Sequence, residues 1–303
     1  MTTAPTTAAR NRRPISWGRV AAWAVMIVFL VITIAPFLWM IRTAFSTTRS
    51  LPSDPGSLLP VDFTWGAFQR VLGLSTVEQS IAEGGSGASV HFWLYLRNSF
   101  IYTSVVTFGQ VLFSSMAAYA FARLRWPGRN LVFGLFLTAM LVPPIFTSLP
   151  NFVLIKNLGL LNTFPGLILP TFFMTPFAVF FMRQFFLGIN REIEESASLD
   201  GAGKWRTFFQ IIVPMSSAPI ATLAILTFIG TWNDYFWPLL VGTDDNVRVL
   251  TVALGVFRSQ TPQGAPDWAG LMAATLIAAL PVLLLFFAAG KRVINSIGYS
   301  GVK

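Results

Sequence analysis

The chain has 303 residues, 54% of them hydrophobic and only 11% charged, with a net charge of +9 and no cysteine. Soluble domains carry about 25% charged residues, so neither a water-soluble domain nor a disordered chain fits. The absence of thiols excludes disulfides, thiolate metal sites and cysteine nucleophiles.

The elements follow from where charge is missing. A helix rises 1.5 Å per residue, so crossing a ~30 Å hydrocarbon core takes roughly 20 apolar residues. Six uncharged windows reach that length: Val20–Ile41, Asn98–Ala122, Leu131–Ile155, Asn157–Met182, Thr207–Asn233 and Trp268–Gly290. They predict an all-α integral membrane protein with six transmembrane helices, at about 20–41, 98–122, 131–152, 165–187, 215–240 and 268–290. Pro36, Pro143, Pro144, Pro170, Pro176 and Pro281 lie inside the windows. In a bundle neighbouring helices can satisfy the carbonyls a proline frees, so kinked spans are expected. The first window is too long for a signal-peptide core and no small-residue cleavage site follows it, so it reads as a retained span.

Residues 1–18, rich in Thr, Ala and Arg, read as a tail preceding a transmembrane unit over 19–303. The longest loop, 43–97, contains the Gly/Ser-rich stretch Glu83–Ser89 and a segment, Phe63–Leu72, whose apolar spacing suits a short helix on the outer surface. His91 has no second ligand beside it and reads as an interfacial histidine. Arg123-Leu-Arg-Trp-Pro-Gly-Arg129 is a tight basic turn, its arginines placed to anchor on anionic headgroups. With both termini cytoplasmic, fourteen of the 21 basic residues fall on inside segments and seven outside, while eight of the twelve acidic residues fall outside. The basic excess is therefore a membrane-topology signature, and no basic cluster interleaved with aromatics points to nucleic acid.

One inside segment stands apart, 188–214, GINREIEESASLDGAGKWRTFFQIIVP. Asn190 is a plausible N-cap, and Glu192, Glu194 and Glu195 follow where the helix dipole favours negative charge. Asp200 is expected to cap a second helix, and Gly201 to permit backbone angles or close contacts that a Cβ forbids. Ala197, Ala202 and Gly203 keep one surface small. A helix, a sharp turn and a short helix make a shape that can enter a groove on another protein.

Glu195-Ser-Ala-Ser-Leu-Asp-Gly-Ala202, eleven residues and then Pro214 resemble the EAA signature of bacterial ABC-importer membrane subunits, with Ser196 for the usual Ala and Val213 for the usual Leu. Asn98-Ser-Phe, Ala118-Tyr-Ala-Phe-Ala-Arg123, Gly159-Leu-Leu-Asn-Thr163, Thr231-Trp-Asn-Asp-Tyr-Phe-Trp-Pro238 and Gly298-Tyr-Ser-Gly-Val-Lys303 are similar to the maltose-type second permease subunit. Two departures are a Gly/Ser-rich insertion near 76–90 and Lys291-Arg292 in the tail. The resemblance implies a type I importer fold in the bacterial cytoplasmic membrane. It also implies a non-catalytic carbohydrate permease that pairs with a second permease, sits on two cytoplasmic ATP-binding subunits and receives sugar from an external binding protein. The EAA loop would be the ATPase-coupling helix, through Glu195, Ser196, Ala197, Leu199, Asp200, Gly201 and Ala202. Glu195 would anchor a polar or basic group, and Gly201 would allow close backbone approach.

No phosphate loop occurs: Gly201-Ala-Gly-Lys204 imitates its tail, but Trp205 replaces the hydroxyl residue. ATP and magnesium are thus expected on the partner ATPase, and no cofactor on this chain. Asp234, within an aromatic cluster, belongs either at the outer interface or on the translocation path. Asn98, Gln110, Tyr119 and Asn233 can line that path with Asp234, or bond helix to helix. A glycerol-phosphate or polyol importer is the nearer alternative, although the uncharged windows offer a phosphorylated cargo no Arg or Lys. A carrier driven by an ion gradient is the remoter one, since ionisable groups at mid-membrane and duplicated halves are not apparent.

Overall fold

A computed structural model describes residues 17–85, 91–255 and 266–298, with side chains to 288. The tail 1–16, most of the Gly/Ser-rich stretch, the Lys291-Arg292 side chains and the terminal motif beyond Gly298 lie outside the described residues.

The regular secondary structure of the described residues is helical apart from one antiparallel bridge, Ser46 to Phe63. In chain order the helices are α1 Trp17–Ala44, α2 Gly66–Val71, α3 Val77–Ala82, α4 Phe92–Arg123, α5 Arg129–Thr138, α6 Pro144–Asn157, α7 Phe164–Phe172 and α8 Pro176–Leu187. Then come α9 Arg191–Leu199, α10 Lys204–Thr207, α11 Val213–Met215, α12 Ser217–Trp232, α13 Phe236–Val241, α14 Leu250–Ala253 and α15 Trp268–Gly298. A π turn, Phe208–Ile212, joins α10 to α11.

Three helices, α1, α4 and α15, are individually long and apolar enough to cross a membrane, and three bent pairs raise the number of crossings to as many as six. The window expected as a straight span over 131–152 is instead two helices meeting at 99°. Val142 and Pro143 both take extended angles at the break, and Pro144 opens α6. The fourth window bends by 44° before Pro176, where Thr175 caps α8 through the Ala178 N–H. The fifth bends by 80° at Ser216, so its helical segment starts at Lys204 and its main helix ends at Trp232, short of 240. Pro36, Pro170 and Pro281 sit inside unbroken helices.

α4 is the spine. It packs against α7, α8 and α12, and α15 packs against α1, α2 and α12. A Cβ on Gly109 would lie 2.2 Å from the Phe172 ring, so glycine lets α4 and α7 touch. By contrast α1 is exposed from Trp17 to Trp39 and is buried only at Arg42, Thr43 and Ala44. A helix apolar all round that packs on one neighbour, α15, and stays exposed along most of its length is one that lipid or a partner must cover.

The two ends of the bundle are built differently. At the elbow end Ala118, Tyr119, Ala122, Met182, Phe186, Phe208 and Ile212 form one apolar cluster. At the loop end Ala44, Ala67, Val71, Phe92, Trp232 and Leu250 form another. α2 does form within 63–72, but Ala67, Arg70 and Val71 are buried against α15. The Gly159–Thr163 motif also acquires a structural reason. Asn162 adopts a left-handed φ of 56°, and its side-chain oxygen accepts the backbone N–H groups of Thr243 (2.9 Å) and Asp244 (3.0 Å). Thr163 then caps α7. Asn tolerates that conformation better than other side chains do.

Candidate functional site

The site is the elbow, α9, a turn and α10. Asn190 caps α9 as expected, its side-chain oxygen accepting the Glu192 N–H at 3.2 Å, and Glu192 and Glu194 lie in the first turn. The exit is a Schellman turn. Gly201 at φ 78° donates its N–H to the Ser198 carbonyl (3.1 Å), and Ala202 donates to Ala197 (2.9 Å). This corrects the reading of Asp200 as the N-cap of a second helix. Asp200 closes α9, and Gly203 precedes α10 with no side-chain cap. The backbone angle accounts for Gly201, since among the described residues beyond its two neighbours nothing lies within 4 Å of a Cβ built there.

The two faces of α9 differ. Glu195, Ser196, Leu199, Asp200 and Gly201 are exposed, Ala202 is half-buried and Ala197 is buried. Leu199 is 90% exposed, and Trp205 beyond the turn is 66% exposed and stacked on Phe209 at 6.1 Å. The opposite face is fastened down. Glu194 Oε1 lies 3.1 Å from Arg123 Nε, an ion pair whose N–H points away from the oxygen, and Glu194 Oε2 accepts the Tyr119 hydroxyl at 3.2 Å. Arg123 also donates to the Phe186 and Ile189 carbonyls, at and just beyond the end of α8. A guanidinium there satisfies carbonyls that a helix end leaves without partners and opposes the negative end of its dipole.

Arg123, expected in the headgroups, is therefore buried in protein, its side chain 4% exposed. By residue type Glu192, Glu194 and Glu195 are equivalent, and the EAA resemblance singles out only Glu195. Helical spacing separates them: Glu194 and Ala197 are three apart and share the inward face, whereas Glu195 points away. Beside the fastening is an apolar cleft of about 310 Å³, lined by Met116, Tyr119, Ala120, Leu124, Lys204, Trp205 and Phe208.

The elbow is thus an exposed helix, turn and short helix held from beneath by α4 and α8. The family described as "Binding-protein-dependent transport system inner membrane component" matches residues 110–297, which include the whole elbow. The chain belongs to this family. It is a multi-pass inner-membrane component, and its relatives are transport subunits. It is 33% identical to the diacetylchitobiose uptake system permease protein of Streptomyces coelicolor, over 90% of this chain and 85% of the relative. It is 30% identical to a probable ABC transporter permease protein of Bacillus subtilis, over 97% and 92%. It is 32% identical to the sn-glycerol-3-phosphate transport system permease protein of Salmonella typhi, over 88% and 93%. The fold is that of a chain in a crystal structure of a bacterial ABC transporter for the acidic polysaccharide alginate, with a TM-score of 0.76 and 21% identity over 95% and 99% of the two chains.

The inner-membrane component does not bring its path candidates together. Asn98 is buried and donates to the Asp245 (3.3 Å) and Arg248 (3.1 Å) carbonyls. Gln110 ties three helices, donating to Thr171 O (3.1 Å) on α7 and accepting the Thr227 hydroxyl (3.0 Å) from α12. Tyr119 belongs to the elbow fastening. Asn233 is exposed and donates to its own helix at Ile229 O (2.8 Å). Asp234 is half-buried at the break after α12, where its side chain accepts the Tyr102 hydroxyl at 3.0 Å. His91 is exposed at the start of α4. Among the described residues no group of His, Asp and Glu is arranged to hold a metal ion.

Proposed function

We propose that this chain is one membrane half of an ATP-driven, binding-protein-dependent importer of a neutral sugar or oligosaccharide. It crosses the bilayer six times with both termini cytoplasmic and forms the path with a second permease. Its elbow docks on a cytoplasmic ATPase, the subunit that binds ATP and magnesium, and an external sugar-binding protein delivers the cargo. The observation that carries this reading is the two-sidedness of α9. Its inner face is fastened to α4 and α8 through Arg123 and Tyr119, and its outer face presents Glu195 and Leu199 with no cover among the described residues. A force applied to that outer face reaches the spans through an ion pair and hydrogen bonds rather than through a loose loop.

Diacetylchitobiose among the relatives supports an oligosaccharide cargo, while the glycerol-phosphate relatives support a phosphorylated polyol as the second reading. The sugar is preferred because the uncharged windows hold no cation for a phosphate. Replacing Glu195 by Lys, or Gly201 by Trp, is expected to abolish uptake stimulated by the binding protein while the chain remains in the membrane. Unchanged uptake in both variants overturns the proposal.

A further inference from the structure

The hollow at the start of α5 has a composition that coupling does not use. About 340 Å³ of space there is walled by Arg125, Arg129 and Arg191, with Trp126, Gly128 and Leu131 completing the rim. Arg125 and Arg129 come from the basic turn, whereas Arg191 is the first residue of α9. The described ion pairs engage Arg70, Arg123 and Arg248, and no carboxylate reaches Arg125, Arg129 or Arg191. The acid next in sequence, Glu192, is occupied with the α9 cap, accepting from Asn190 Nδ2 at 3.0 Å. Arg129 is steadied by donating to Leu124 O (3.0 Å) and Asn130 Oδ1 (3.4 Å). α5, ten residues long, starts behind Gly128 at φ 77° with no side-chain cap, so its first N–H groups add to the positive field. Three cations gathered around one hollow from two separate segments, with no carboxylate among them, raise the positive potential there and favour an anion between them.

We propose that this hollow binds the phosphate of an anionic membrane phospholipid. The choice of a lipid over a soluble anion rests on what continues from the rim. Leu131 and Leu135 are exposed along α5, which gives acyl chains an apolar track leading straight out of the basic hollow. Trp126 at the rim has an amphipathic ring suited to the headgroup level. Because Arg191 opens α9, the headgroup clamps the foot of the elbow to the bilayer.

The test is lipid retention by the full chain in detergent, read by native mass spectrometry with phosphatidylglycerol titrated against phosphatidylcholine. Wild type is expected to keep phosphatidylglycerol selectively. Arg125→Gln with Arg191→Gln should weaken that retention roughly fivefold for each arginine removed. Arg125→Lys with Arg191→Lys should keep most of it, because the charge remains. Arg206→Gln, which removes an exposed charge elsewhere on the elbow, should leave it unchanged. A melting curve in the same detergent checks that each variant is folded. Equal retention of the two lipids by wild type, or undiminished selectivity in the folded glutamine pair, overturns the proposal. So does inorganic phosphate that binds the lipid-free chain and displaces phosphatidylglycerol at equal concentration, since the site would then be one for a soluble anion.

Discussion

Both ends of the bundle are fastened by an arginine, yet only one fastening leaves a free handle. At the loop end Arg70 lies between Glu83 and Asp267, with side-chain exposures of 3% for Arg70 and 0% for Asp267. Asp267 also accepts the Thr48 hydroxyl (2.7 Å) and the Gly270 N–H (2.8 Å). That knot closes inward, joining the first loop to the foot of α15. At the elbow end Arg123 and Glu194 hold α9 by one face and leave the other to solvent. A closed knot holds a shape, whereas a fastening with one open face can pass movement from an outside partner into the spans.

Substitutions test that distinction. The largest effect is expected at the loop end. Asp267→Ala leaves Arg70 with Glu83 alone and takes the acceptor from the Thr48 hydroxyl and the Gly270 N–H, a combined loss of about 3 kcal/mol. A melting curve in detergent should fall steeply; a curve within a degree or two of wild type would mean the knot is slack. The second test sets adjacent acids against each other. Glu194→Ala should destabilise by about 2 kcal/mol and expose 188–203 to protease, since Arg123 loses its carboxylate. Glu195→Ala should melt with wild type and fail in uptake. Equal melting losses in the two variants would erase the difference between the inner and outer faces of α9. The smallest effect belongs to Tyr119→Phe, which removes one hydrogen bond to Glu194 and should cost about 1 kcal/mol by the same melting measurement. Wild-type stability there would assign the fastening to Arg123 alone.

Much of this architecture can be read from residue order, and the unread parts share a cause. The uncharged windows locate the span helices because lipid contact is a property of each segment by itself. The Asn190 cap and the Gly201 turn are local and equally visible. Which prolines break a helix is not local. Pro143 and Pro170 look alike in sequence, but only the first sits in an extended stretch, and the 80° bend falls at Ser216, between Pro214 and Pro219, neither of which sits at the break itself. Asp200 was misassigned because aspartate favours helix starts, while the left-handed Gly201 beside it enforced a helix end. Arg70 and Asp267 are 197 residues apart, and no pattern in either neighbourhood names the other. Gln110 and Asn98 were ambiguous between path and packing for the same reason; their hydrogen bonds run to segments far along the chain.

The bareness of α1 sets how the isolated protein should fail. Its 28 residues reach about 42 Å, and although it packs on α15, every residue from Trp17 to Trp39 keeps an exposed side. Its position is therefore governed by the thickness of whatever solvates it, and short-chain detergents or thin vesicles should unmoor this first helix while the α4-centred body is still intact.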